Sequence, residues 1–467
     1  MAPSSLGKSP PINPGRFSGG QPITLTARQL DVLGVLVSDA GKVISNDQII
    51  GAAWGDVAVS DNSLAQIVSQ LRGVLDADHP NRYITNTRGR GYRFVAPVEA
   101  MDAALADAEL DAMLAPYRVL MDGRAALETL EREAVAKARS VFEHVIGRHG
   151  SHAGFHVGLA NACILHYEST RTDLVPDAEA LQVAYEHARI ARRLNPDAAE
   201  AWATLGFVLE RTGEREDAVA ALRRAVELEP DNWRHHLRLA SASWGEERLR
   251  AARRTIALMG ECPLAYFLAA TVYVARGALA EAERNLDAGL AALRPDSAAA
   301  SRFPAVALHW LNGLLCLARG DEDGACEALE RELALEPRGQ LYARECCANA
   351  WYAIGAIHLR RGETVAARDA FDQAIARVPR HPMAHVGLML LQADGGNDTS
   401  RLDAEPLSVD LALAHAASRV ARGDVSGAAA IVAAALEAAP AGNAGWLVPI
   451  EPLLNVPHDR IPWMPVL

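Results

Sequence analysis

The sequence lacks the features of a secreted or membrane-spanning protein. Its first residues, MAPSSLGKSPPINPGRFSGG, contain no apolar stretch typical of a signal peptide. Nowhere does the chain reach the roughly 18 uncharged apolar residues that a membrane helix requires. Its six cysteines form no CxxC pair and no spacing typical of a disulfide framework. The sequence therefore predicts a cytoplasmic protein that does not bind membranes, with reduced thiols buried in helices.

Glutamate is absent from the first 97 residues, and this sets them apart from the rest of the chain. Residues 1–97 hold nine Lys or Arg and seven Asp, a net charge of +2, whereas the remainder carries −14 of a total of −12. A protein that coats nucleic acid along its whole length would be basic throughout. The asymmetry instead predicts a mildly basic first part followed by an acidic body.

No combination of nucleophile, base and orienting acid stands out in the sequence. The segment LGKSP resembles the end of a phosphate-binding loop, but Ala2 occupies the position of the first glycine, and Pro10 and Pro11 prevent the helix that should follow. His152 and His156 have the spacing of two ligands on one helical face, but no third ligand accompanies them. The sequence thus predicts no enzyme, no cofactor and no metal site.

Composition divides the chain into five segments. We expect a flexible arm rich in Pro, Gly and Ser at residues 1–20, a mildly basic head at 21–98, a connecting helical segment at 99–133, an array of Ala-rich helices at 134–440 and a Pro-rich tail at 441–467. The names head, array and tail refer to these ranges below.

The beginning of the head predicts a strand followed by two helices. Ile23 and Leu25 alternate with polar residues, as in a half-buried strand. Thr26 has the position of an N-cap for the first helix, and Ser45 that of an N-cap for a second helix, which Gly55 ends.

A third helix and a hairpin complete the head. The segment VSDNSLAQIVSQLRGVLD, capped at Ser60 or Asp61, has apolar residues three and four apart, which leaves most of its polar side chains off the core. The hairpin YITNTRGRGYRFV follows and carries arginines at its turn. Such a helix fits the major groove of duplex DNA, while the arginines of such a hairpin reach the minor groove or the phosphates.

Residues 22–96 resemble the OmpR/PhoB-type winged-helix domain of bacterial transcription regulators. The resemblance lies in LTARQLDVLGVLV, GKVISNDQIIGAAWG, the VSD and QLR of the third helix, and the wing TRGRGYRF. It implies a three-helix core flanked by sheets, with the third helix in the major groove and the wing in the minor groove. It also implies groove-facing positions at Asn62, Ser63, Gln66, Ser69, Gln70 and Arg72, and wing or phosphate contacts at Arg88, Arg90 and Arg93.

The third helix departs from this family in its charge. Family members usually carry several Arg or Lys where this chain has Ser69, Gln70 and Gly73, and only Arg72 remains. Each neutralised phosphate changes the salt slope of log affinity by about −0.9, so three or four cations predict weak non-specific binding. Binding should then depend on readout of adenine by Asn and Gln, on the wing, or on pairing of two protomers.

The array resembles tetratricopeptide (TPR) repeats. From Ala199 to Asn232 the chain matches the repeat pattern, and a second unit matches it at the same offsets. The matching residues are Trp202, Leu205, Gly206, Leu209, Ala218, Leu222, Ala225 and Pro230, and then Trp351, Ile354, Gly355, His358, Ala367, Phe371, Ala374 and Pro379. With weaker copies, we expect seven or eight helical pairs. The predicted fold is therefore mainly α, an α+β winged helix-turn-helix followed by an α-solenoid.

The tail, GWLVPIEPLLNVPHDRIPWMPVL, leaves the repeat pattern. A terminal repeat needs a cover for its exposed apolar face, so a cap is the first interpretation. The alternative is that the tail folds into the groove of the array as an internal ligand.

Two functional hypotheses follow from these segments. The first is a sequence-specific DNA-binding regulator, a homodimer on DNA, whose TPR groove binds a protein, peptide or small ligand and alters dimerisation or contact with RNA polymerase. The 21 residues ahead of the winged-helix domain are too few for a receiver module, so we expect a regulator without one. The alternative is a TPR adaptor whose poorly basic head has little or no DNA affinity.

Overall fold

The computed structural model describes residues 25–54, 59, 61–75, 82–87, 89–98, 103–150, 152–292, 307–338, 341–392, 408–440, 444–457, 460–464 and 466–467. The chain forms two compact units, Met1–Val119 and Leu120–Leu467. Among the helices in the described ranges, none has the length and apolar character needed to cross a membrane.

Three helices and one hairpin surround an apolar core in the head. They are α1 (Ala27–Ser38), α2 (Asn46–Trp54), α3 (Asp61–Leu75), β1 (Ile84–Thr87) and β2 (Gly91–Phe94). The strands are antiparallel, with Ile84 opposite Phe94 and Thr87 opposite Gly91. Every helix contributes to the core, whose fully buried members include Val32, Leu33, Leu36, Ile49, Leu64, Leu71 and Ile84.

Local hydrogen bonds fix where the first two helices begin. The Thr26 hydroxyl accepts the backbone N–H of Gln29 at 3.3 Å, and the Gln29 side chain accepts the N–H of Thr26 at 2.8 Å. Ser45 and Gln48 form the same reciprocal pair ahead of α2. These capping boxes satisfy backbone donors that the first turn of a helix leaves without partners, and they agree with the caps predicted at Thr26 and Ser45. The predicted strand residue Ile23 and the predicted stop Gly55 lie outside the described residues.

The second part of the chain is helical. Its helices are α4 (Ala103–Glu128), α5 (Arg132–His149), α6 (Ala153–Thr170), α7 (Ala178–Leu194), α8 (Ala199–Thr212), α9 (Arg215–Leu228), α10 (Trp233–Ala242), α11 (Gly245–Leu258), α12 (Pro263–Ala275), α13 (Leu279–Ala292), α14 (Leu308–Ala318), α15 (Glu322–Leu333), α16 (Ala343–Arg360), α17 (Thr364–Arg377), α18 (Pro382–Leu391), α19 (Val409–Ala421) and α20 (Val425–Ala438). Within the described ranges, seven hairpins follow one another along the chain: α6–α7, α8–α9, α10–α11, α12–α13, α14–α15, α16–α17 and α19–α20.

Close helix contact explains the small residues of the TPR pattern. A Cβ atom on Gly206 in α8 would lie 2.5 Å from Leu222 Cγ and 2.9 Å from the Ala218 carbonyl oxygen in α9. At the equivalent position in α16, a Cβ on Gly355 would lie 2.5 Å from the Phe371 ring. Since no side chain fits at these positions, glycine lets the two helices touch, and larger residues fill the space between hairpins.

The array also makes contacts between segments far apart in sequence. At the start of α16, Arg344 donates to the Thr172 hydroxyl at 2.6 Å and pairs with Asp173 at 2.6 Å, just after α6 ends. Next to it, Arg171 pairs with Glu345. The start of α16, the first helix of the sixth hairpin, therefore contacts the loop that joins the two helices of the first hairpin.

The tail packs along the array in two short 3₁₀ segments. The first, Ala444–Ile450, contacts α12, α14 and α19, which are all first helices of their hairpins. The second, Ile461–Trp463, contacts α20. Trp463 is completely buried there. The tail thus covers the last hairpin and also extends along the face formed by the first helices.

Candidate nucleic-acid interface

Helix α3 separates its apolar and polar residues cleanly. Leu64, Val68 and Leu71 are at most 1 % exposed and pack in the core of the head. The opposite side, here called the outer face of α3, carries most of the predicted groove-facing side chains. Asn62, Gln66, Ser69 and Gln70 are exposed there, and Ser63 is half-buried beside them. An uncharged polar surface of Asn, Gln and Ser suits hydrogen bonding to the edges of bases.

Two of the predicted groove-facing residues already have partners in the head. The side-chain oxygen of Gln70, Oε1, accepts from Nε2 of Gln29 at 3.1 Å, which connects α3 to α1. Arg72 is half-buried, and its Nε donates to the Ile84 carbonyl oxygen at 3.1 Å. Its guanidinium lies 5.9 Å from the centre of the Tyr92 ring. Arg72 therefore faces the hairpin, and the outer face of α3 has no exposed Lys or Arg among its described side chains.

A glycine next to the turn anchors the hairpin. Gly91 has φ +120°, and a Cβ on it would lie 1.9 Å from the Ile44 carbonyl oxygen. The same oxygen accepts the N–H of Tyr92 at 3.0 Å, and Ile44 N–H donates to Tyr92 O at 2.9 Å. The second glycine of the GRG turn thus allows the hairpin to pair with the segment before α2.

The hairpin exposes two of its three predicted arginines. Arg90 is exposed in the turn, where its N–H donates to the Thr87 carbonyl oxygen at 2.8 Å. Arg93 is exposed on β2, opposite Thr85, between the buried Tyr92 and Phe94. Arg88 lies outside the described residues.

Two further exposed cations in the head were not selected from the sequence. Arg82 precedes β1, and its guanidinium lies 5.3 Å from the centre of the Tyr83 ring. Lys42 lies in the loop whose Gly41 N–H donates to Phe94 O at 2.8 Å. The Lys42 ammonium donates a hydrogen bond to the Asp39 carboxylate at 2.7 Å, and this contact raises the pKa of Lys42. Arg82 lies just ahead of β1 in the sequence, which is the signal that could have identified it, whereas Lys42 comes near β2 only through the fold.

The two histidines considered as metal ligands contact other groups, and most of the cysteines are buried. His152 Nδ1 accepts the N–H of Gly154 at 3.2 Å, whereas His156 Nδ1 lies 2.8 Å from His187 Nδ1. Burial and the nearby His156 lower the pKa of His187. Burial raises the pKa of the Cys262 thiol to about 11, as expected for thiols of low reactivity. Within the described ranges, no three His, Cys, Asp or Glu residues are placed to hold a metal ion.

Both parts of the chain match known protein families. Residues 20–94 match the family described as "Transcriptional regulatory protein, C terminal", and residues 199–242 match the tetratricopeptide repeat.

Similar proteins include two bacterial regulators and one solved structure. "Transcriptional regulator HilA" of Salmonella typhi is 36% identical over 76 residues, which are 16% of this chain and 14% of HilA. "Transcriptional regulatory protein HprR" of Escherichia coli strain K12 is 36% identical over 75 residues, which are 16% of this chain and 34% of HprR. A chain in the crystal structure of the APC/C hetero-tetramer Cut9-Hcn1 aligns with 61% of this chain and 51% of its own length, at 15% identity and a TM-score of 0.45. The match to the two regulators therefore spans about a third of their length or less.

Proposed function

Because the chain carries an OmpR/PhoB-type winged-helix domain ahead of TPR repeats, we propose that it is a bacterial regulator that binds specific sites on duplex DNA. In this proposal α3 enters the major groove, where Asn62, Ser63, Gln66, Ser69 and Gln70 meet base edges. The hairpin arginines, including Arg88, contact phosphates or the minor groove, and Arg72 supports the hairpin from α3.

The proposal rests on the position of the polar outer face of α3 next to the hairpin. Polar side chains of the size and type that read adenine are exposed on one side of a 15-residue helix. Arg90 and Arg93 are exposed on the hairpin that Arg72 links to the same helix. Exposed cations on the hairpin with uncharged readers on the helix favour a division between phosphate contacts and base contacts.

The array and the pairing of protomers complete the proposal. The array binds a protein, a peptide or a small ligand and so controls DNA binding or contact with RNA polymerase in the cytoplasm. Two protomers bind adjacent half-sites, since one head exposes few cations for gripping phosphates.

Substitutions in the full chain test the division between phosphate and base contacts. Arg90→Ala should weaken binding to all DNA sequences alike and reduce the salt slope by about 1, because a phosphate contact carries no sequence information. Gln66→Ala should change sequence preference, with a loss of roughly 1–3 kcal/mol for the preferred site. Binding-site selection followed by titration at several salt concentrations measures both effects.

Matched substitutions in the array provide the controls. Arg284→Ala and Gln182→Ala remove exposed side chains of the same types from α13 and α7. They should leave affinity and preference unchanged. The DNA proposal would be wrong if the head variants and the array variants behaved alike.

One observation favours a second function, that of an adaptor without DNA affinity. The outer face of α3 exposes no cation among its described side chains, because Arg72 is held by the hairpin. Footprinting across the DNA upstream of the protein's own gene separates the two functions. Protection that disappears in an Arg90→Ala, Arg93→Ala double variant supports the regulator. Absence of protection at any tested salt concentration, with a folded head, supports the adaptor.

A further inference from the structure

The first half of the tail occupies a surface lined by aromatic side chains. Trp446 meets Phe267 of α12 and Trp310 of α14 edge-on, with ring centroids 6.2 Å and 6.4 Å apart and interplanar angles of 85° and 78°. Edge-to-face contacts of this kind stabilise aromatic pairs beyond the burial of the rings. The contact therefore has the geometry of a specific binding site for an aromatic side chain.

The residues after Trp446 extend this contact along the first helices. Val448 and Ile450 are 1 % and 2 % exposed. Ile450 packs in the cluster that contains Trp310. Next to it, the buried Glu451 carboxyl group accepts a hydrogen bond from the Tyr352 hydroxyl of α16. One short segment thus presents an aromatic ring, two aliphatic side chains and a carboxyl group to three hairpins.

The second half of the tail buries large side chains against the last hairpin. Leu454, Val456 and Trp463 are at most 2 % exposed and share a cluster with α19 and α20. In the first half Val448 and Ile450 are buried as completely, but Trp446 and Leu447 remain partly exposed. The ring that makes the aromatic contact therefore stays accessible to solvent while the segment is docked.

One polar group beneath the docked segment lacks a partner. Trp310 Nε1 is buried and finds no acceptor among the described residues. Glu451 is almost completely buried, but its carboxyl group accepts hydrogen bonds from the Tyr352 hydroxyl and the Leu453 N–H. A peptide that offers an acceptor to Trp310 Nε1 would therefore satisfy a donor that the resident segment leaves unpaired.

We propose that residues 444–451 are a built-in, exchangeable ligand of the surface formed by Phe267, Trp310 and Tyr352. While it is docked, the segment blocks that surface to external peptides. The surface fits an extended segment that carries an aromatic residue followed by aliphatic residues and a carboxyl group. This inference concerns the array alone and does not depend on DNA binding by the head.

A peptide added to the full-length protein tests the exchange. The probe is a fluorescein-labelled peptide of residues 444–453, AGWLVPIEPL. Trp446→Ala in the full chain removes the resident ring from its site, so the probe should bind this variant at least about tenfold more tightly than the unchanged chain, whose attached segment competes at high effective concentration. Ile461→Ala removes an apolar side chain of the tail that is 84 % exposed and should behave like the unchanged chain.

A second variant covers the case in which Trp446→Ala loses its fold. Protease sites inserted between Pro440 and Ala444 and between Leu453 and Leu454 of the otherwise unchanged chain release residues 444–453 and leave the second half of the tail on the last hairpin. The labelled peptide should then exchange into the cut protein, and a peptide with Trp446→Ala should compete about tenfold more weakly, a difference of about 1.4 kcal/mol. The proposal is overturned if the probe binds all full-length variants equally, if it does not exchange into the cut protein, or if release of residues 444–453 alone unfolds the array.

Discussion

At the scale of single residues, Gly91 determines whether the hairpin can dock. Its φ is +120°, and a Cβ atom at this position would lie 1.9 Å from the Ile44 carbonyl oxygen, which leaves room for hydrogen only. Gly91→Ala should therefore destabilise the head by about 2–4 kcal/mol, which combines backbone strain with steric overlap. Urea unfolding followed by hydrogen exchange in residues 25–98 measures the loss.

Gly73→Ala is the matched control for Gly91→Ala. Gly73 lies in α3, and a Cβ there would have no neighbour within 4 Å. Alanine in a helix is about 0.5–1 kcal/mol more favourable than glycine, so this variant should stabilise the head. Equal destabilisation by the two substitutions would show that the contact with Ile44 does not matter.

Arg72 contacts the hairpin in the structure, whereas the sequence predicted that it faces the DNA groove. Its Nε bond to the Ile84 carbonyl oxygen joins α3 to the hairpin, so Arg72→Ala should lower head stability by about 1–2 kcal/mol as well as weakening DNA binding. Arg72→Lys keeps the charge but loses the Nε–H, so it should not restore stability. Full stability in Arg72→Ala would contradict the assigned contact.

At the scale of elements, the sequence predicts features that depend on nearby residues, but it does not predict contacts between distant elements. The capping box of Thr26 and the packing of Gly206 in the hairpin α8–α9 depend on residues within about one repeat, and the sequence identifies both. The exposure of Gln66 follows from helical periodicity in the same way. The orientation of Arg72 depends on a backbone carbonyl in another element, and helical periodicity does not predict such a contact.

The docking of the tail should depend on pH through Glu451. Burial raises the pKa of Glu451 from 4.5 to about 7, because the charged carboxylate is poorly solvated there, and the hydrogen bond from the Tyr352 hydroxyl offsets only part of this rise. The docked segment then holds the proton more tightly than the free segment. Its docking free energy is most favourable below pH 4.5, falls as pH rises towards 7 and levels off above, with a total loss of about 3 kcal/mol.

Tyr352 and His381 have pKa values outside this range. Burial raises the pKa of Tyr352 well above 10, and burial lowers the pKa of His381, whose ring centre lies 5.3 Å from that of Tyr352, to about 4. Hydrogen exchange of residues 444–451 between pH 5 and pH 8, corrected for the intrinsic rate, measures docking. Glu451→Gln should make it independent of pH. A pH dependence that survives in Glu451→Gln would assign the effect to another group.

A local readout is needed because a second buried carboxyl group titrates in the same pH range. Glu332 accepts the N–H groups of Ala307 at 2.8 Å and Trp310 at 3.0 Å, at the start of α14. Burial raises the pKa of Glu332 to about 7 as well. Global unfolding would therefore report both carboxyl groups, whereas exchange within the tail distinguishes Glu451→Gln from Glu332→Gln.

At the scale of the whole array, contacts between the first and sixth hairpins add a constraint that no single repeat contains. Arg344 bonds Thr172 and Asp173 across more than 170 residues of sequence. A repeat pattern describes contacts between neighbours, so the sequence predicted the hairpins but not this closure. Since the Arg344 side chain is 24% exposed, removing it leaves half-buried partners without their donor.

Arg344→Ala should therefore lower the stability of the array by about 1–3 kcal/mol. It should also increase hydrogen exchange at two distant places together, the end of α6 and the start of α16, because each holds the other. Arg284→Ala, which removes an arginine that is 69% exposed in an ion pair within α13, should cost at most about 0.5 kcal/mol. Faster exchange confined to α16 after Arg344→Ala would mean that the two hairpins touch without stabilising each other, and the array would then behave as a series of independent neighbours.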